Sequence, residues 1–84
     1  MIKRDDFVVH GIDAEATGRN VFAMLREDGL TVTDVSDLLG VSPQAIYGWN
    51  KGKLPSIDNL VILSGYLGCS LESMIVLYGD IEEA

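Results

Sequence analysis

The run Gly40-Val41-Ser42-Pro43 constrains this chain more than any other feature. Glycine permits a tight backbone turn. Ser42 is a helix N-cap residue, and Pro43 then falls at the first helical position, where its missing N–H costs nothing. Apolar residues recur at helical spacing on both sides: Val35, Leu38 and Leu39 before the turn, Ala45, Ile46 and Trp49 after it. The spacing predicts helices near 32–39 and 43–51, with Ala45, Ile46 and Trp49 turned inward.

Similar punctuation divides the rest. Asp13 caps a first helix, 14–28, whose apolar positions are Ala14, Val21, Met24 and Leu25, and Gly29 stops it. Thr31 with Asp34 resembles a capping box, Asp being the shorter substitute for Glu or Gln. Leu54, Pro55 and Ser56 form a connector and cap before a helix at 57–67, whose face is Ile57, Leu60, Val61, Leu63, Ser64 and Leu67. After Gly68, Ser70 caps a fifth helix, 71–77, with Leu71, Met74, Ile75 and Tyr78 on one side. Five helices in 84 residues describe one compact all-α domain, 14–77, and leave no room for a two-domain enzyme. Residues 1–13 are read as an N-terminal arm, in which Phe7, Val8 and Val9 form a short strand or an extended piece, and 78–84 as an acidic tail.

Composition narrows the chemistry. Cys69 is the single cysteine, which excludes an internal disulfide framework and fits a reducing cytoplasm. It sits in the turn Gly68-Cys69-Ser70 without a CxxC partner and reads as a half-buried filler. His10 has no Cys or carboxylate at metal-ligand spacing, so no metal site is expected. No Ser/His/Asp or Cys/His set, phosphate loop or catalytic carboxylate pair is present, so neither enzymatic activity nor a cofactor is expected. The apolar stretch 60–67 is interrupted by Ser64 and Gly65 and is far below the ~20 residues that span a bilayer. Met1 to His10 is followed by no ~7–15-residue apolar core, so a secretory signal is not expected there.

The net charge of −7 opposes nucleic-acid binding, but its distribution matters. The acid lies at the ends, in Asp5, Asp6, Asp13 and Glu15 and in Asp58, Glu72, Asp80, Glu82 and Glu83; in 18–56, Arg19, Arg26, Lys51 and Lys53 balance Glu27, Asp28, Asp34 and Asp37. Two helices joined by this short turn have the geometry of a DNA-binding helix-turn-helix, whose second helix reads the major groove. Its outward stripe is Gln44, Tyr47, Gly48 and Lys51. A glutamine amide can pair bidentately with adenine, a tyrosine reaches phosphate or a thymine methyl, and a lysine neutralises phosphate.

The run LTVTDVSDLLGVSPQAIYGWNKGKLPSIDNLVIL, from Leu30 to Leu63, resembles the lambda-repressor-like, Cro-type (XRE-type) helix-turn-helix domains, with a likeness extending over 14–76. The resemblance implies a five-helix fold and duplex DNA as partner. It implies DNA contact by Thr31, Ser42, Gln44, Ala45, Tyr47, Gly48, Asn50, Lys51 and Lys53. Val32 stands where the family usually carries a phosphate-binding glutamine, Gly48 where Lys or Arg is common, and Pro43 replaces a polar contact. Phe22 and Leu25, at first-helix positions typical of Lys or Arg, are expected to be exposed, and Leu25 with Asn50 replaces a frequent buried Arg–Glu pair. The implied function is a bacterial or phage transcriptional regulator, a repressor, acting in the cytoplasm at the nucleoid as a homodimer. Unclaimed apolar residues at the chain ends (Phe7, Val8, Val9, Val76, Leu77 and Tyr78) point to the dimer contacts. The alternative is a protein-interaction or antitoxin-like module that keeps the fold with DNA binding weakened or lost. No membrane association and no small-molecule ligand are expected.

Overall fold

The computed structural model describes residues 11–78, an all-α arrangement of α1 (Ala14–Glu27), α2 (Val32–Leu39), α3 (Pro43–Trp49), α4 (Ile57–Leu67) and α5 (Leu71–Met74). Each begins at a residue whose side-chain oxygen accepts a backbone N–H three residues on: Asp13, Thr31, Ser42, Ser56 and Ser70. The capping box of α2 is complete, with Asp34 N–H donating to Thr31 Oγ1 at 3.1 Å and Thr31 N–H to Asp34 Oδ2 at 2.9 Å.

That box makes α2 sensitive to acid. The Thr31 backbone N–H, and secondarily its hydroxyl, hold the Asp34 carboxyl below its ordinary value of 3.8. A depressed carboxylate stabilises the fold above its unfolded pKa, and the contribution is lost as pH falls through the lower folded value. Thr31→Ala is expected to cost about 1 kcal/mol in urea unfolding at neutral pH. The stability difference between wild type and Asp34→Asn should shrink on acidification; a difference that grows instead would contradict this role for the charge.

One core joins the helices, comprising Val21, Leu25, Val35, Ile46, Trp49, Leu60, Leu63 and Met74. Leu25, expected at the surface, is buried, and Phe22 is half-buried against the core. Both turn inward because α1 packs across α3. Other inward assignments fail. Ala45, Leu38, Ile57 and Val61 are exposed, each at the margin of the apolar side of its helix rather than beneath a neighbouring helix.

The last helix is shorter than its periodicity predicts, ending at Met74 rather than residue 77, with Ile75 already extended. Pairing with the segment before α1 takes the backbone groups that a longer helix would use. Asp13 N–H donates to Val76 O at 2.8 Å, Tyr78 N–H donates to Gly11 O at 2.9 Å, and Ile12 and Leu77 form an isolated antiparallel bridge. Tyr78 therefore leaves the helical face assigned to it. Val76 and Leu77, read as unclaimed, are half-buried. Phe7, Val8, Val9 and His10, with most of the proposed arm and tail, lie outside the described residues. Cys69 is half-buried, as its turn position suggested. Among the described residues no helix is long and apolar enough to cross a membrane.

Candidate nucleic-acid interface

The turn that sets α3 against α2 is held from both ends. Gly40 sits at φ 71°, a left-handed conformation that a Cβ would strain, and its N–H donates to Ser36 O at 2.8 Å. Ser36 Oγ donates to Val41 O at 2.6 Å. Ser42 Oγ then accepts Ala45 N–H at 3.2 Å, and Pro43 opens the helix. Ile46 and Trp49 anchor the inner side of α3 and leave Gln44, Ala45 and Tyr47 exposed on the outer one.

Seven of the nine expected contact residues line one shallow concavity of about 680 Å³: Ser42, Gln44, Ala45, Tyr47, Gly48, Lys51 and Lys53. Ala45 thus belongs with the outer residues, and its methyl offers an apolar contact rather than core packing. Lys51 is displaced from the expected helical stripe, because α3 ends at Trp49 and Lys51 falls in the following turn. The turn still keeps it at the concavity, as Lys51 N–H and Lys53 N–H both donate to Gly48 O, at 2.9 and 3.1 Å. The Lys53 stem lies against the end of α3 beside Gly48, within ordinary contact distance of where a Cβ would stand, at 3.5 Å.

Thr31 and Asn50 line a separate cleft of about 340 Å³, with Phe22, Arg26 and Val32 among their neighbours. Arg26 was not anticipated. A lone arginine in the last turn of a helix reads as an ordinary helix-dipole partner, and only the packing of α1 beside α2 and α3 brings it here. Among the described residues the ion pair is Arg19 with Glu15, at 3.8 Å, and Arg26 takes no part in it. No carboxylate lines either depression, which between them hold Arg26, Lys51 and Lys53. The chain is acidic overall, and Asp34, which accepts the Thr31 N–H, stands beside the smaller cleft.

Phe22 supports the face from below. Its ring stacks on Tyr47 with centroids 6.5 Å apart and planes 21° from parallel, and it meets Trp49 edge-on at 6.3 Å. A core side chain and an exposed one are thereby tied through one ring. Phe22→Ala is expected to cost about 2–4 kcal/mol of stability, since it removes an apolar ring and two aromatic contacts. Urea unfolding with Trp49 emission as the reporter checks it; a cost below ~1 kcal/mol would mean that the ring carries no packing load.

A family model described as helix-turn-helix matches residues 22–74, which include α2, α3, their turn and the whole of α4 and α5. The chain belongs to the lambda-repressor-like, XRE-type helix-turn-helix family. Among solved structures it is similar to a transcriptional regulator from Listeria innocua, with a TM-score of 0.65 and 22% identity over 92% of this chain and 65% of that one. It is also similar to apo-HppE, with a TM-score of 0.66 and 15% identity over 79% of this chain and 37% of that one. At these identities the likenesses speak for the fold. This helix-turn-helix chain spans less than two thirds of either protein's length. No curated protein matches it in sequence.

Proposed function

We propose that this helix-turn-helix protein is a transcriptional regulator that binds specific duplex DNA, with α3 in the major groove, and represses by occupying its site as a homodimer. The observation that carries the reading is the concavity over α3, which gathers Gln44, Tyr47, Lys51 and Lys53 and is lined by no carboxylate on an otherwise acidic chain. Duplex phosphates favour such a face, and acidic residues elsewhere repel DNA from it in the wrong orientation. Gln44 is the base reader, its amide suited to adenine N6 and N7. Tyr47, held by Phe22, and the Ala45 methyl supply contacts to phosphate or to a thymine methyl. Thr31, Ser42, Asn50, Lys51 and Lys53 position the backbone, with Arg26 added to their number. The site of action is the cytoplasm, at the nucleoid, and the reading needs no cofactor or catalysis.

Because Lys51 and Lys53 act as counter-charges rather than readers, Lys51→Ala and Lys53→Ala are each expected to weaken binding to every sequence alike. Each should reduce the slope of log K against log salt by about 0.9. Anisotropy titrations on the preferred site and on random duplex at several salt concentrations measure both effects. A lysine variant that changes preference between sites, with an unchanged slope, would contradict the division of labour. The competing interaction-module reading draws on the exposed apolar side chains of α4, which lie outside the two depressions apart from Leu54 just before that helix.

A further inference from the structure

The outer side of α4 is apolar without being covered. Leu60 and Leu63 are buried on its inner side, yet Ile57 is 68% exposed, Val61 51%, Ile62 45% and Tyr66 54%. A helix apolar on every side is ordinarily enclosed on every side. On α4, positions 57, 61 and 65 form one ridge of i,i+4 neighbours, and 58, 62 and 66 form the next. The first ridge reads Ile, Val, Gly, and a Cβ built at Gly65 meets nothing within 4 Å, so it ends in an open notch. The four large side chains expose roughly 400 Å², a patch of the size that marks an interaction site.

We propose that this face is covered by a second copy of the chain, α4 against antiparallel α4, about a two-fold axis at Val61. The ridge is complementary to itself in that arrangement. Residue 57 of one copy lies opposite residue 65 of the other, so Ile57, the most exposed of the set, enters the notch over Gly65. There it meets the flank of Tyr66, which with Leu30 and Leu38 lines a groove beside α2 whose other lining residues are Asp34 and Asp37. Charge selects the direction. Asp58 is the one charged residue of α4; a parallel pair would set the two carboxylates side by side, whereas the antiparallel pair separates them by about 9 Å of helix axis. Two such patches with their margins approach the ~1,200 Å² at which specific interfaces begin.

The consequence for function, two α3 helices presented to paired half-sites, rests on the regulator reading, but the interface is tested without DNA. In sedimentation velocity at ~100 µM, wild type is expected to be a dimer and Val61→Glu a monomer, with the dimer constant weakened about 100-fold or more. The variant should keep its helical circular dichroism and melting cooperativity, since position 61 is exposed. In a Cys69→Ser background, Val61→Cys should oxidise to a linked dimer, as residues on the axis approach within disulfide range. A wild type that stays monomeric, a Val61→Glu that dimerises like wild type, or a Val61→Cys that does not cross-link overturns the interface. A dimer broken by Val61→Glu, in a protein that binds no duplex, upholds the interface and removes the regulator reading alone.

Discussion

Gly18→Ala is expected to cost more than about 4 kcal/mol, a loss that lowers the melting temperature of so small a domain by about 15–30 °C or prevents folding. In an exposed helix the same change would stabilise, because alanine is about 1 kcal/mol the better helix former. Here sterics outweigh propensity. Gly18 is buried in α1, and a Cβ on it would stand 1.8 Å from the carbonyl oxygen of Trp49 and 2.6 Å from its carbonyl carbon. The obstacle is backbone at the end of α3, so no side-chain rotation relieves it. Either α1 withdraws, opening the core around Val21, Leu25, Ile46 and Trp49, or α3 is displaced along with the face it presents. Thermal unfolding by circular dichroism decides the matter, and a variant within ~1 kcal/mol of wild type would show that the approach is not needed.

Thr17→Val is expected to cost about 2–4 kcal/mol, although it preserves shape and adds apolar character. Thr17 is fully buried, and its hydroxyl serves one residue twice: Oγ1 accepts Val76 N–H at 2.9 Å and donates to Val76 O at 3.2 Å. The Val76 carbonyl also receives Asp13 N–H and keeps one partner, so most of the cost falls on the stranded Val76 N–H. Asn20 adds to the tie by donating from Nδ2 to the carbonyls of Ser73 and Met74, at 3.0 and 3.1 Å. Amide hydrogen exchange should place the loss at the C-terminal segment, with protection at Val76 falling further than at Ile46. Uniform loss across all helices would mean that the hydroxyl serves the core in general rather than this docking.

What was legible in the sequence is what short-range chemistry encodes. A cap acts over three residues, so Asp13, Thr31, Ser42, Ser56 and Ser70 announce their helices without reference to the rest of the chain. Gly40 and Pro43 likewise give the turn, and with it the grouping of Ser42, Gln44, Tyr47 and Gly48. What depended on contacts between distant segments was not legible. Thr17 reaches a residue 59 positions away, and Gly18 reads as a helix-weakening residue until Trp49 is seen against it. The shortening of α5 is decided by residues 11–13, which no local pattern connects to residues 76–78. Periodicity identifies apolar stripes but not which stripe faces the core, so Ala45, Leu38, Ile57 and Val61 were misplaced. Arg26 and Phe22 reach the candidate interface through the packing of α1, and nothing near them in sequence marks the role.

The central claim is that α3 reads bases through Gln44, and it is tested by anisotropy titration of wild type and Gln44→Ala. Three duplexes are needed: the site obtained by selection from random sequence, the same site altered at the proposed adenine, and random DNA. Wild type is expected to prefer the selected site over random DNA by at least about 10³-fold and to lose about 1–3 kcal/mol on the altered site. Gln44→Ala should remain folded, bind the selected and altered sites equally, and keep the wild-type salt slope. A Gln44→Ala protein that still discriminates between them, or a folded wild type that binds no duplex at low salt, would contradict the account.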